Sequence, residues 1–94
     1  MRRGRSSARA RVALRADRSR SREEIVQELH ARIAGNLRQL AERQGIPLSH
    51  LPDHAGVGRS HFWEVLAGRK SPTLAWLVRV ATALDVDIGE LLRR

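Results

Sequence analysis

Glycine and proline cut this chain into a succession of helices with short connections. The apolar residues repeat at helical spacing, and the repeats stop at Gly45, at Gly56-Val57-Gly58, at Gly68 and at Pro72. Ile25, Leu29, Ile33, Leu37 and Leu40 fall on one helical face, at spacings of four, four, four and three. No stretch alternates apolar and polar residues as a half-buried strand would. The expected class is therefore all-α with short connections.

Local signals place five helices. Ser21 with Glu24 three residues on is a capping box ahead of an apolar run. It predicts a helix from Arg22 to Gln44, closed by Gly45. Pro52 would cost about 3 kcal/mol in a helix interior but little in a first turn, where its missing N–H would be unpaired anyway. A short second helix from His50 to Ala55 satisfies this, with Ser49 as N-cap and Asp53 near the positive end of the dipole. Arg59 to Ala67 carries Phe62, Val65 and Leu66 at helical spacing and closes at Gly68. Thr73 caps a fourth helix with Leu74, Leu77, Val78, Ala81 and Leu84 as its expected inner face. Asp87, with Glu90 three on, opens a last helix containing Ile88, Leu91 and Leu92.

Ninety-four residues allow one small domain. Its charge is segregated. The net charge is +8, and residues 1–22 alone hold nine Arg against one Asp, while the remainder balances nine basic against nine acidic residues. The chain thus divides into a basic N-terminal arm, 1–21, and a neutral folded part, 22–94. Like-charge blocks stay solvated and act as interaction arms, and the guanidinium fork suits phosphates. Arg2, Arg3, Arg5, Arg9 and Arg11 are the arm's candidate contacts; an unselected extension is the alternative. The arm lacks the apolar segment of a secretory signal, though its Arg- and Ser-rich, acid-poor make-up also resembles a transit peptide. No apolar run approaches a membrane span. The absence of cysteine removes disulfides, thiolate metal sites and Cys nucleophiles, and fits a reducing cytoplasm.

Two short helices joined by a Gly turn, with a third packed across them, describe a helix-turn-helix. Residues 33–92 resemble the lambda-repressor-like family, also called the XRE or Cro type. The matching residues are Ile33, Leu37, Leu40 and Gly45-Ile46, then Leu51, Ala55-Gly56-Val57, Phe62, Val65 and Gly68. Pro72-Thr73-Leu74, Leu77, Ala81, Leu84-Asp85-Val86 and Glu90-Leu91 complete the register. The string Gly-Arg-Lys-Ser-Pro-Thr-Leu followed by Ala-Thr-Ala-Leu-Asp-Val is the most telling part. The chain departs from the family pattern at Pro47, at Leu48 (where a phosphate-bonding Gln is common) and at Pro52. It also has Ala41 and Leu66 where many members pair an Arg with a Glu. Losing both partners of such a pair and gaining an apolar contact can be neutral or stabilising, so Ala41 and Leu66 are expected to touch.

The resemblance implies sequence-specific binding of double-stranded DNA by a transcriptional regulator, here a repressor, with the third helix in the major groove. Its outward residues by that match are Arg59, Ser60, Trp63 and Glu64. Arg59 would pair with guanine O6 and N7, and Ser60 would donate or accept. Glu64 would accept from cytosine N4 or pair with Arg59. Trp63 would pack on a thymine methyl or sit half-buried in the domain. Ser49, His50, Arg69, Lys70 and Ser71 are the expected backbone contacts. The resemblance also implies a homodimer, with Trp76 and the last helix as candidate interface elements, bound at the nucleoid of a bacterial cytoplasm.

No cofactor is expected. His50 and His54, with His61 nearby, have the spacing of a metal pair but lack a clear third ligand. No nucleophile-elbow or phosphate-loop motif suggests an enzyme. The alternative is an antitoxin-like or coactivator-like protein-interaction module on the same fold, with nonspecific nucleic-acid binding by the arm.

Overall fold

A computed structural model describes residues 20–94. The arm residues Arg2, Arg3, Arg5, Arg9 and Arg11 lie outside that range. The described chain contains α1 (Arg22–Arg43), a 3-10 turn (Leu48–His50), α2 (Leu51–Ala55), α3 (Arg59–Leu66), α4 (Leu74–Ala83) and α5 (Ile88–Leu91). No strand occurs among the described residues, so the expected all-α, five-helix class holds.

The helix ends follow from local chemistry. Ser21 Oγ accepts the Glu24 N–H at 3.1 Å and donates to the Glu24 carboxylate at 3.2 Å, so the box closes through the hydroxyl. Thr73 caps α4 by accepting the Trp76 N–H at 3.0 Å, and Asp87 caps α5 by accepting the Gly89 N–H at 3.2 Å. At its far end α1 stops at Arg43, one residue before the expected Gln44. Gly45 N–H bonds the Glu42 carbonyl and Ile46 N–H bonds the Ala41 carbonyl, a Schellman closure. Helix α3 closes in the same way, with Arg69 N–H on the Glu64 carbonyl at 2.9 Å, and it ends at Leu66 rather than Ala67. That closure needs a left-handed residue, and Gly68 supplies it at φ +78°.

The second helix begins differently from the expectation. Pro47 leads into the 3-10 turn, whose His50 N–H bonds the Pro47 carbonyl at 2.9 Å. His50, not Ser49, is then the N-cap of α2, and no side chain caps it. The reason is register: the turn already places Pro52 in the first turn of α2, so no cap at Ser49 is needed. Pro52 is buried there.

One apolar core joins the five helices. Helix α1 packs on α3 and α5, α2 on α3 and α4, and α4 on α5. Leu37, Leu51, Phe62, Val80, Leu84 and Leu91 are fully buried at its centre. Burial of a side chain such as Phe62 contributes about 1.5–3 kcal/mol, and its ring also lies 6.0 Å from that of Trp76. Ala41 and Leu66 both join this core, at 1% and 8% exposure.

Two inner-face assignments change. Leu74 and Val78 on α4 are 75% and 51% exposed, whereas Trp76, Leu77, Val80, Ala81 and Leu84 are buried. Helix α4 is covered by α2 and α5, and that pair of neighbours selects a face rotated away from Leu74 and Val78. Trp76, expected as an interface element, is part of the core instead. On α1, Ile25 and Leu29 are only half-buried, and the buried line is His30, Ile33, Ala34, Leu37 and Ala41.

Candidate nucleic-acid interface

Helix α3, the 3-10 turn ahead of α2 and the loop after α3 carry the expected contact residues. The turn between the helices is held by two backbone bonds, Gly56 N–H to the Asp53 carbonyl and Val57 N–H to the Pro52 carbonyl. Gly56 sits at φ +69°, a conformation that costs a residue with a Cβ about 1–2 kcal/mol. Arg79 on α4 donates to the Gly56 carbonyl at 3.2 Å and ties the turn to the scaffold. Phe62, Val65 and Leu66 anchor α3 from within. Its other face is thereby presented rigidly to solvent.

Arg59 and Ser60, at the start of α3, are exposed. No side chain caps this helix and its first turn holds no acid, so its leading N–H groups stay open. Trp63 is 44% exposed and stands edge-on to Phe62, with ring centroids 5.3 Å apart at 87°. It is thus both braced by the core and available outside. Arg69 and Lys70 are exposed in the loop that follows, and Ser49 and His50 are exposed at the 3-10 turn.

The charges pair differently from the expectation. Arg59 binds Asp53 of α2, with Nη2 donating to Oδ2 at 2.7 Å and Nε to Oδ1 at 3.4 Å. Glu64 pairs with Arg69 at 3.3 Å. The considered Arg59–Glu64 pair gives way to these two because Asp53 and Arg69 lie within reach of each. The Arg59 hydrogen bond and charge hold the Asp53 carboxyl below its usual value, and Asp53 in turn raises that of Arg59. His50, Asp53 and His54 line one open surface pocket. His61 points elsewhere, edge-on to Trp76 with centroids 6.4 Å apart.

Two features escape a reading of the sequence. His30 Nε2 and Ser71 Oγ share a hydrogen bond at 3.1 Å across 41 residues of chain. This buried histidine holds the loop carrying Arg69 and Lys70 against α1. A signal exists: His30 continues the line Ala34, Leu37, Ala41 at helical spacing, but a polar residue does not register in an apolar count. The second is Asp53–Arg59, whose only trace in the sequence is a pair of opposite charges flanking the Gly turn.

The architecture defines a helix-turn-helix protein: two short helices across a tight turn, the second with an exposed outer face. The profile of the family described as "Helix-turn-helix domain" matches residues 32–94, and the chain belongs to that family. Among solved structures it is similar to a hypothetical transcription factor, NHTF, from Neisseria, with 28% identity, a TM-score of 0.66, and 72% of this chain and 78% of that one covered. It is also similar to the restriction-modification controller protein C.AhdI from Aeromonas hydrophila, with 29% identity, a TM-score of 0.60, and 66% and 94% covered. An HTH_3 family transcriptional regulator from Vibrio cholerae shares the fold at 24% identity and a TM-score of 0.63, over 70% of this chain and 37% of its own. No curated protein sequence matched. No helix among the described residues is long and apolar enough to cross a membrane.

Proposed function

We propose that this protein is a transcriptional regulator, acting as a repressor, that binds double-stranded DNA sequence-specifically. Helix α3 reads the major groove. The observation that carries the reading is the exposed leading edge of α3, Arg59, Ser60 and Trp63, held on a helix whose opposite face is locked in the core. Arg59 addresses guanine, Ser60 and Glu64 address neighbouring base edges, and Trp63 packs on a thymine methyl. Arg69, Lys70, His50 and Ser49 meet phosphates, which position the protein without specifying sequence. Ser71, exposed in the same loop, meets phosphate with them while its hydroxyl bonds His30. The names of the Neisseria and Aeromonas neighbours, a transcription factor and a controller protein, support this reading. A homodimer suits it, because two copies would read half-sites about one helical turn apart.

The test is selection of binding sites by the full chain from random duplex DNA at about 150 mM salt, where nonspecific binding is weak. An enriched, near-palindromic motif is expected, with one position lost in Arg59→Ala. A second reading, protein interaction through the same face, is favoured by one observation. Asp53 and Glu64 each neutralise an arginine there, and Trp63 stays open. Absence of any enriched motif would support it.

A further inference from the structure

A guanidinium has two usable edges, and among the described residues Arg59 has a partner on only one of them. Asp53 takes the side edge of Arg59, accepting from Nε and from one hydrogen of Nη2. The end edge remains, formed by Nη1 and the second hydrogen of Nη2. That edge presents two parallel donors, which is what the O6 and N7 acceptors of guanine require. We propose that Asp53 is a positioning residue for base reading: it fixes the Arg59 fork so that its free edge faces guanine.

The placement supports this role. Asp53 sits on α2 and Arg59 at the first turn of α3, so the pair spans the turn and ties the reading side chain to both helices. Both side chains are largely exposed, at 63% and 67%. Water screens such a pair, so it adds little to folding. Its effect is on Arg59's freedom. An unheld arginine loses rotamer entropy when it binds a base, and one already held loses less. A carboxylate at the DNA face also repels phosphate. Uniform binding therefore gains nothing from Asp53, while selectivity does. His50 and His54 flank Asp53 but make no hydrogen bond to it, so the fork is held by this one carboxylate.

This inference rests on the proposed reading of DNA by α3, and the experiment separates the two. Full-length wild type, Arg59→Ala, Asp53→Asn, Asp53→Ala and Asp53→Glu are each used to select sites from one random duplex library, and their melting temperatures are compared. The expected result has three parts. Arg59→Ala loses a guanine position from the motif. Asp53→Asn and Asp53→Ala weaken preference at that same position by roughly tenfold, leaving the other positions intact. Asp53→Glu recovers part of the loss, and all five proteins melt alike. A merely structural role would weaken every position together. If Asp53→Ala keeps full guanine preference and binds all duplexes more tightly, Asp53 is only a repulsive charge and the inference is overturned, while base reading by Arg59 stands. If Arg59→Ala loses no position, both readings fail.

Discussion

Replacing Leu66 by Glu should remove a large part of this domain's stability, and a second substitution at Ala41 should return it. Leu66 is 8% exposed on α3, which packs against α1, and Ala41 is 1% exposed on α1. Leu66→Glu forfeits about 2 kcal/mol of apolar burial. Leaving its carboxylate buried without a partner adds about 3 kcal/mol or more. The sum approaches the total stability expected of a domain this size, about 4–11 kcal/mol. Ala41→Arg alone overfills a closed site and should cost about 1–3 kcal/mol. Together the two charges neutralise each other, and the double variant should regain at least about 2 kcal/mol over Leu66→Glu. Arg38 lines the same groove as Leu66, beside His30 and Ala34, and is a competing partner for the new carboxylate. A third variant, Leu66→Glu with Arg38→Ala, separates the two. Urea unfolding followed by tryptophan fluorescence reports all of them, since Trp76 is buried in the same core. A double variant no more stable than Leu66→Glu would refute facing contact between positions 41 and 66. A further fall in the Arg38→Ala background would show that Arg38 already pairs with the new carboxylate in Leu66→Glu.

Three more outcomes are expected. Arg69→Ala and Lys70→Ala should weaken binding to every duplex alike and reduce the slope of log K against log salt by about 0.9 for each phosphate no longer neutralised, with the selected motif unchanged. Removing residues 1–19, which leaves the Ser21 cap in place, should flatten that slope further if the arm neutralises phosphates; an unchanged slope rules the arm out of DNA binding. An NMR titration of the Asp53 carboxyl should find it protonating below the usual carboxylate range in wild type, because Arg59 lowers its pKa, and returning toward that range in Arg59→Ala. The pair's small contribution is thus present above the ordinary carboxylate value and lost as the pH falls through the lowered one; an Asp53 titration unchanged by Arg59→Ala would mean the pair is not ionic.

Much of the fold is legible in the chain itself. The caps at Ser21, Thr73 and Asp87 and the closures at Gly45, Gly56 and Gly68 can be read there because each joins residues a few positions apart. Such contacts depend on side-chain chemistry and backbone sterics that neighbours in the chain already specify. Pro52 belongs in a first turn for the same reason. Its cap is not legible, because a 3-10 turn beginning at Pro47 also satisfies the local rules and packs Pro52 into the core.

The remaining decisions belong to tertiary structure. Helical spacing offers α4 two apolar faces, and only the positions of α2 and α5 choose Trp76 and Val80 over Leu74 and Val78. Burial of His30 depends on Ser71 arriving from 41 residues away. Local spacing leaves the partner of Arg59 open among carboxylates; the angle between α2 and α3 brings Asp53 within 2.7 Å, and Arg69 draws Glu64 aside. Local chemistry therefore determined that this chain is a set of helices closed by caps or glycine turns, with an exposed-faced helix among them. Packing decided which atoms of that helix face solvent, because the direction of a side chain is set by what its helix leans on.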